Sequence, residues 1–219
     1  MLDSDNTYTC LQSKSSLGGN LGAGAEYLYG LIAQLFDKGT RFAIENPSYD
    51  KIRKVYNSLG ITCDMLTLGS DGIDSKELKE TTANVLHTTP FNSFPSGISI
   101  TSSKKHELLR WAALRNGYIV EDNYDSEMTV SSKAEDSLFA MSDKENVIYV
   151  NTFSKTIAPS MRIGYMILPE KLLDTYNEKL GFYSCTVPVF DQYVLAELLH
   201  SGDFERHINR VRRKKRALL

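Results

Sequence analysis

No stretch of this chain approaches the roughly 18 consecutive apolar residues that a membrane-crossing helix needs. Its start, Met1-Leu2-Asp3-Ser4-Asp5-Asn6, lacks the basic and apolar regions of a secretory signal. Cysteine is scarce: Cys10, Cys63 and Cys185 are odd in number and far apart, with no Cys-x-x-Cys pair, which argues against a disulfide framework or a zinc site. His87, His106, His200 and His207 have no second metal ligand at suitable spacing, so they read as structural or exposed residues and no metal is expected. Neither sign of charge is in excess. With 25 basic and 27 acidic residues the formal charge is -2, and no global field draws the chain to nucleic acid or to a membrane. These absences leave the cytoplasm as the expected location.

What is present is alternation. A chain of 219 residues can bury a substantial core, enough for one large domain. Residues 1–21 are polar and rich in Ser, Asn and Gly, without periodicity, and read as an irregular lead-in. From Gly24 a helix begins that places Leu28, Leu31, Ile32 and Leu35 on one face. A strand at residues 41–45 follows, then a helix at 49–58 with Ile52, Val55 and Tyr56 inward and Gly60 as its left-handed cap. Further strands are predicted near 61–68, 83–88, 117–121, 146–151 and 162–168, with a strong helix at 103–116 that stops at Gly117. Helices near 170–180 and 189–200 precede a last one from Asp203. The alternation predicts an α/β fold of three layers, α/β/α, around a mostly parallel sheet. The basic cluster Arg210, Arg212, Arg213, Lys214, Lys215 and Arg216 lacks interleaved aromatics and faces away from Ile208, Val211 and Leu218, so it reads as the solvated side of an amphipathic helix.

The chemistry concentrates in Asn151-Thr-Phe-Ser-Lys-Thr-Ile-Ala-Pro-Ser-Met-Arg-Ile-Gly-Tyr165, just beyond the apolar run Val147-Ile-Tyr-Val150. Ligands of open α/β sheets bind at such strand ends. Lys155 stands among the hydroxyls of Thr152 and Ser154, and Arg162 follows with a planar fork suited to phosphate oxygens. A lysine forms a Schiff base only after losing its proton, which a neighbouring cation such as Arg162 favours. This pattern points to pyridoxal 5'-phosphate, which needs an amine, a phosphate cradle, an acid for the pyridine nitrogen and a clamp on the ring. Tyr118-Ile-Val-Glu-Asp-Asn-Tyr-Asp125 is a buried strand ending in acids: Asp122 can keep the pyridine nitrogen protonated, and Tyr124 can donate to the cofactor's phenolic oxygen. In Gly22-Ala-Gly-Ala-Glu26 a helix start offers backbone N–H groups to an anion. In Glu45-Asn-Pro-Ser-Tyr-Asp50, Pro47 turns the chain and Tyr49 can lie over a flat ring. The loop His87-Thr-Thr-Pro-Phe-Asn-Ser-Phe-Pro-Ser-Gly97 is predicted on the same rim.

Read in order, Gly-Ala-Gly-Ala-Glu, Glu-Asn-Pro-Ser-Tyr, Phe-Pro-Ser-Gly, Glu-Asp-Asn-Tyr-Asp and Ser-Lys-Thr-Ile-Ala-Pro-Ser-Met-Arg-Ile-Gly-Tyr resemble the fold-type I, class I/II aminotransferases. The closest similarity is to the aminotransferase-like domain of MocR/GabR regulators. The resemblance implies Lys155 as the Schiff-base lysine, Asp122 as pyridine partner, Tyr124 at the phenolic oxygen and Tyr49 on the ring, with Gly24, Ala25, Glu26, Thr152, Ser154 and Arg162 around the phosphate. Many class I enzymes carry an asparagine where this chain has Phe94, and Asn92 is the candidate to take over that contact. It also implies a division into a lead-in at 1–21, a cofactor-binding large domain at 22–200 and, at 201–219, the start of a helix toward a small carboxyl-terminal domain that is largely missing. The expected activity is transfer of an amino group between an amino acid and a 2-oxo acid, in a homodimer. The alternatives are an effector-sensing domain of a regulator, with DNA as partner only through a winged helix-turn-helix upstream, and a non-catalytic remnant.

Overall fold

The computed structural model describes residues 18–124, 127, 136–142 and 145–217. In chain order these form β1 (Gly18–Gly22), α1 (Ala25–Leu35), β2 (Arg41–Asn46), α2 (Asp50–Ser58), β3 (Thr62–Gly69), β4 (Gly72–Ile73), α3 (Ser75–Glu80), β5 (Val85–Thr88), α4 (Ser102–Arg115), β6 (Tyr118–Asp122), α5 (Leu138–Met141), β7 (Val147–Thr152) and β8 (Gly164–Leu168). A 3₁₀ turn (Glu170–Leu172) leads to α6 (Leu173–Leu180), α7 (Val189–His200) and α8 (Asp203–Arg216). The eight strands make one sheet in the order β1-β8-β7-β6-β5-β2-β3-β4. Its centre, β7-β6-β5-β2-β3, is parallel. The edges are not: β8 runs against β7, β1 against β8 and β4 against β3.

Strands buried on both faces read as unbroken apolar runs, and the structure separates their two faces. Phe42, Ile44, Val120, Ile148 and Val150 pack under Leu28, Leu31, Ile32 and Leu35 of α1 and under Ile52 and Tyr56 of α2. Ala43, Leu86, Ile119 and Val147 face the other way, onto Leu108, Trp111 and Ala112 of α4 and Leu138 of α5. The architecture is therefore the three-layer α/β/α arrangement that the alternation predicts. Each fully buried leucine or isoleucine on α1 contributes about 1.5–3 kcal/mol, which ties this helix to the sheet and fixes where its first turn points.

The element ends follow local rules. Thr101 caps α4 by accepting from the Lys104 N–H at 3.3 Å, and Asn116 closes it in the left-handed region at φ 48°. Gly60, at φ 80°, ends the α2 turn as its position predicts. The reading of residues 1–21 as an irregular lead-in needs correction at its end: residues 18–22 are β1, paired in register from Gly18↔Leu168 to Gly22↔Gly164. An edge strand needs bonds along one side only, so a glycine-rich segment without an apolar pattern can serve, its pairing set by β8. Residues 1–17 lie outside the described residues, as does Leu218. On α8, Ile208 is buried while Arg210, Arg213, Lys214, Lys215 and Arg216 are exposed, as expected for an amphipathic helix; Arg212 differs, donating to the Glu127 carbonyl at 2.6 Å. Among the described residues no helix is long and apolar enough to cross a membrane, and no cluster of three or more His, Cys, Asp or Glu could hold a metal ion.

Gly117 joins α4 to β6 so closely that a Cβ there would lie 2.5 Å from the Asn84 carbonyl oxygen. Backbone cannot swing aside as a side chain can, so Gly117→Ala is expected to destabilise the domain by about 1–3 kcal/mol. A lower urea midpoint at unchanged m value is the result to look for.

Candidate functional site

The parallel centre of the sheet sends the carboxyl ends of β2, β5, β6 and β7 to one edge. Because β8 is antiparallel, its beginning arrives at that edge too and brings Arg162 with it. The amino end of α1 completes a pocket of about 270 Å³. Ala25 and Glu26 line it from α1, Tyr49 from the turn after β2, Asp122 and Tyr124 from the end of β6, Thr152, Ser154 and Lys155 from the end of β7, and Arg162 from the approach to β8. Segments distant in sequence thus meet as the strand ends predict. Tyr29, Ile52, Thr89 and Phe94 line the pocket as well.

Asp122 is the most constrained group here, with only 2% of its surface exposed. The Tyr29 hydroxyl donates to its Oδ2, and His87 Nε2 lies 3.6 Å from the same oxygen. Behind them the Tyr56 hydroxyl meets His87 Nδ1 at 2.8 Å. Burial, and then the adjacent Asp122, hold the Tyr29 phenol well above its ordinary pKa, so it remains a donor. The second oxygen, Oδ1, is buried and has no hydrogen-bond partner among the described residues. A buried acceptor left unpaired is costly, and a protonated ring nitrogen supplies the donor it needs. On this observation the residues present fit a pyridinium ring.

The amino end of α1 offers backbone donors suited to an anion. Gly24 has φ 86° and ψ 178°, a conformation that only glycine adopts readily, and no side chain caps α1. The first N–H groups of that helix and the positive end of its dipole lie at the end where Ala25 and Glu26 line the pocket. Gly24 does not line the pocket; it backs Arg162, and a Cβ on it would lie 2.8 Å from the guanidinium Nη2. Glu26 stands between two cations, 3.6 Å from Arg162 and 2.6 Å from Lys51. Ser154 donates to the Met161 carbonyl at 3.0 Å, which closes the loop carrying Lys155.

Lys155 is exposed in the single chain, and its Nζ lies 5.3 Å from the centroid of the Tyr124 ring. The Tyr124 hydroxyl donates to the Asn92 carbonyl at 2.8 Å, so its hydrogen is engaged there rather than pointing to the pocket. Asn92 sits at φ 53° and does not line the pocket. Phe94 does, edge-to-face with Tyr49 at 6.1 Å between ring centroids. This loop is held by Glu45, which is fully buried and accepts from Thr88 Oγ1 at 2.8 Å, the Thr89 N–H at 3.1 Å and Ser93 Oγ at 2.5 Å. Burial pushes the Glu45 carboxyl up, and these three bonds oppose that rise.

Sequence reasoning missed Tyr29, Glu45 and the closeness of His87 to Asp122. Tyr29 had a usable signal: it falls four residues after Ala25, on the same helical face as the cradle. Glu45 and His87 had none, because their partners lie on other elements distant in sequence.

Replacing Gly24 by alanine is expected to cost about 1–3 kcal/mol through backbone strain and to displace the Arg162 guanidinium. Millimolar inorganic phosphate should raise the melting temperature of the wild-type protein and leave that of Gly24→Ala unmoved.

Comparison with known proteins agrees with this geometry. Residues 20–218 match the family described as aminotransferase class I and II. YdeL of Bacillus subtilis (strain 168), an uncharacterized HTH-type transcriptional regulator, is 35% identical over 202 residues, covering 91% of this chain and 44% of its own length. The probable rhizopine catabolism regulatory protein MocR of Rhizobium meliloti is 27% identical over 183 residues, 84% of this chain and 37% of that protein. Among solved structures, the kynurenine aminotransferase of Pyrococcus horikoshii, in complex with PMP, superposes with a TM-score of 0.82 at 25% identity, over 95% of this chain and 55% of that one. LysN, the alpha-aminoadipate aminotransferase of Thermus thermophilus, gives 0.79 at 26% identity, over 89% and 52%. The chain spans less than half the length of the two curated relatives. A family match across nearly the whole chain, on a sheet whose ends gather the residues expected of that family, leads to one conclusion: the chain belongs to the class I and II aminotransferases.

Proposed function

We propose that this domain is the core of a pyridoxal 5'-phosphate-dependent aminotransferase, moving an amino group between an amino acid and a 2-oxo acid with Lys155 as its covalent anchor. The observation that carries the reading is that Lys155 and Asp122 line one pocket, with Asp122 Oδ1 buried and without a partner among the described residues. When bound, the cofactor supplies a heterocycle that takes up the electron pair left as the substrate loses its Cα proton.

The chain's own residues do the rest. Asp122 holds a proton at the ring nitrogen, which keeps the ring electron-poor. Arg162 and the amino end of α1 bind the phosphate, with Thr152 and Ser154 nearby, and fix the register of the ring. Tyr49 is placed to press on one ring face. The Lys155 amine would take the proton from the substrate Cα as a general base and deliver it as an acid to the cofactor carbon. Tyr124 serves the phenolic oxygen by turning its hydroxyl from the Asn92 carbonyl. We assign the working form to a homodimer, in keeping with the exposed aromatics Phe182, Phe190 and Tyr193.

A second reading is favoured by the relatives: YdeL and MocR are named as regulators. Here the same site binds an amino acid as a signal, and DNA is a partner only through a winged helix-turn-helix outside this chain.

Titration with pyridoxal 5'-phosphate is expected to produce a visible absorbance band that Lys155→Ala lacks; equal bands in both would remove Lys155 from the site. In single-turnover mixing with amino donors, Asp122→Ala is expected to slow loss of the band about 100-fold or more, as deletion of a preorganised charge does. Release of 2-oxo acid in repeated turnovers marks an enzyme, whereas a spectral change without turnover marks a sensor.

A further inference from the structure

We propose that Tyr29 is a positioning residue that decides which oxygen of Asp122 meets the cofactor ring and keeps the shared proton on the ring nitrogen. This rests on the cofactor reading above and adds to it a residue from a different element.

Four observations converge. Tyr29 is buried in α1, and its hydroxyl donates to Asp122 Oδ2, across 93 positions of sequence. That bond leaves Oδ1, equally buried, without a partner among the described residues. His87 Nε2, 3.6 Å from Oδ2, is too far for a hydrogen bond and also has no partner among the described residues, so among them the Tyr29 hydroxyl is the side-chain donor that orients the carboxylate. Tyr29 follows Ala25 by one helical turn, and both line the pocket. One rigid helix thus carries the phosphate cradle and the group that sets the ring-nitrogen partner, so seating the phosphate and aligning the ring are a single geometric event.

The electrostatic consequence has a definite sign. A hydrogen bond donated to Oδ2 draws negative charge from Oδ1, so Oδ1 attracts the ring proton less than it would without the hydroxyl. The proton between the ring nitrogen and Oδ1 then stays on nitrogen, leaving a pyridinium and a carboxylate. Without the hydroxyl Oδ1 keeps more of the negative charge, and the same proton would move from nitrogen toward Oδ1, giving a neutral ring and a carboxylic acid. No other bond changes.

The test uses the full chain loaded with pyridoxal 5'-phosphate labelled with ¹⁵N in its ring. Tyr29→Phe keeps the aromatic contacts with Tyr56 and His87, at 6.3 and 5.1 Å between ring centroids, and removes only the hydroxyl. The expected result is a ring-nitrogen resonance moved from the pyridinium position toward neutral pyridine, by about a tenfold change in the proton-sharing equilibrium. Tyr29→Leu, a second route to the same loss on a helix, must move it the same way. Tyr56→Phe, whose hydroxyl meets His87 and not Asp122, must leave it in place. An unmoved resonance in a folded Tyr29 variant overturns the assignment even if the Lys155-dependent band is intact. Absence of that band from the wild-type protein defeats the cofactor reading itself, and this inference with it.

Discussion

The structure turns on a carboxylate buried at the end of a central strand. Asp122 carries charge where water does not reach, and a charge so placed persists only with partners. The Tyr29 hydroxyl donates to one oxygen, and the other has no partner among the described residues. Around that unfinished bond lie the pocket, the helix that holds the Tyr29 donor and the turn that places Tyr49. A core assembled only for stability would have paired both oxygens or used an apolar residue.

Topology turns this local feature into a site. Parallel strands bring their carboxyl ends to one edge, and the helices between them begin there, so carboxylates, hydroxyls and helix amino ends collect together. The reversal at β8 makes the one addition that parallel strands cannot: it lets a residue preceding a strand, Arg162, stand beside residues that follow strands. Charge compensation then links the parts. Glu26 balances Arg162 and Lys51 at the mouth, while Glu45 pins the loop that carries Phe94 and Asn92, so the wall of the pocket is fixed by a residue that never reaches into it.

The order of elements and most of the pocket were legible in the residues. Apolar runs marked the strands, spacing marked the helical faces, and nine expected positions, from Ala25 to Arg162, line one cavity. Where reading failed, the failure has a physical cause. β1 lacks an apolar pattern because an edge strand takes its register from its neighbour. Asn92 looked suited to the cofactor because of its polar atoms, yet its backbone conformation and the Tyr124 hydroxyl engage it within the loop. His87 read as structural and is buried, but its place beside Asp122 depends on the pairing of β5 with β6.

The sequence by itself determined the layered α/β fold, the strand ends that carry Lys155 and Asp122, and the helix start offered to an anion, because periodicity and turn chemistry are local. Only the tertiary structure decided which oxygen of Asp122 is taken, that Tyr29 takes it, that Glu45 holds the loop and that Arg162 reaches the cradle from an antiparallel strand. Those contacts join groups brought together by sheet order, and sheet order arises from packing across the whole chain, which no short window of residues records.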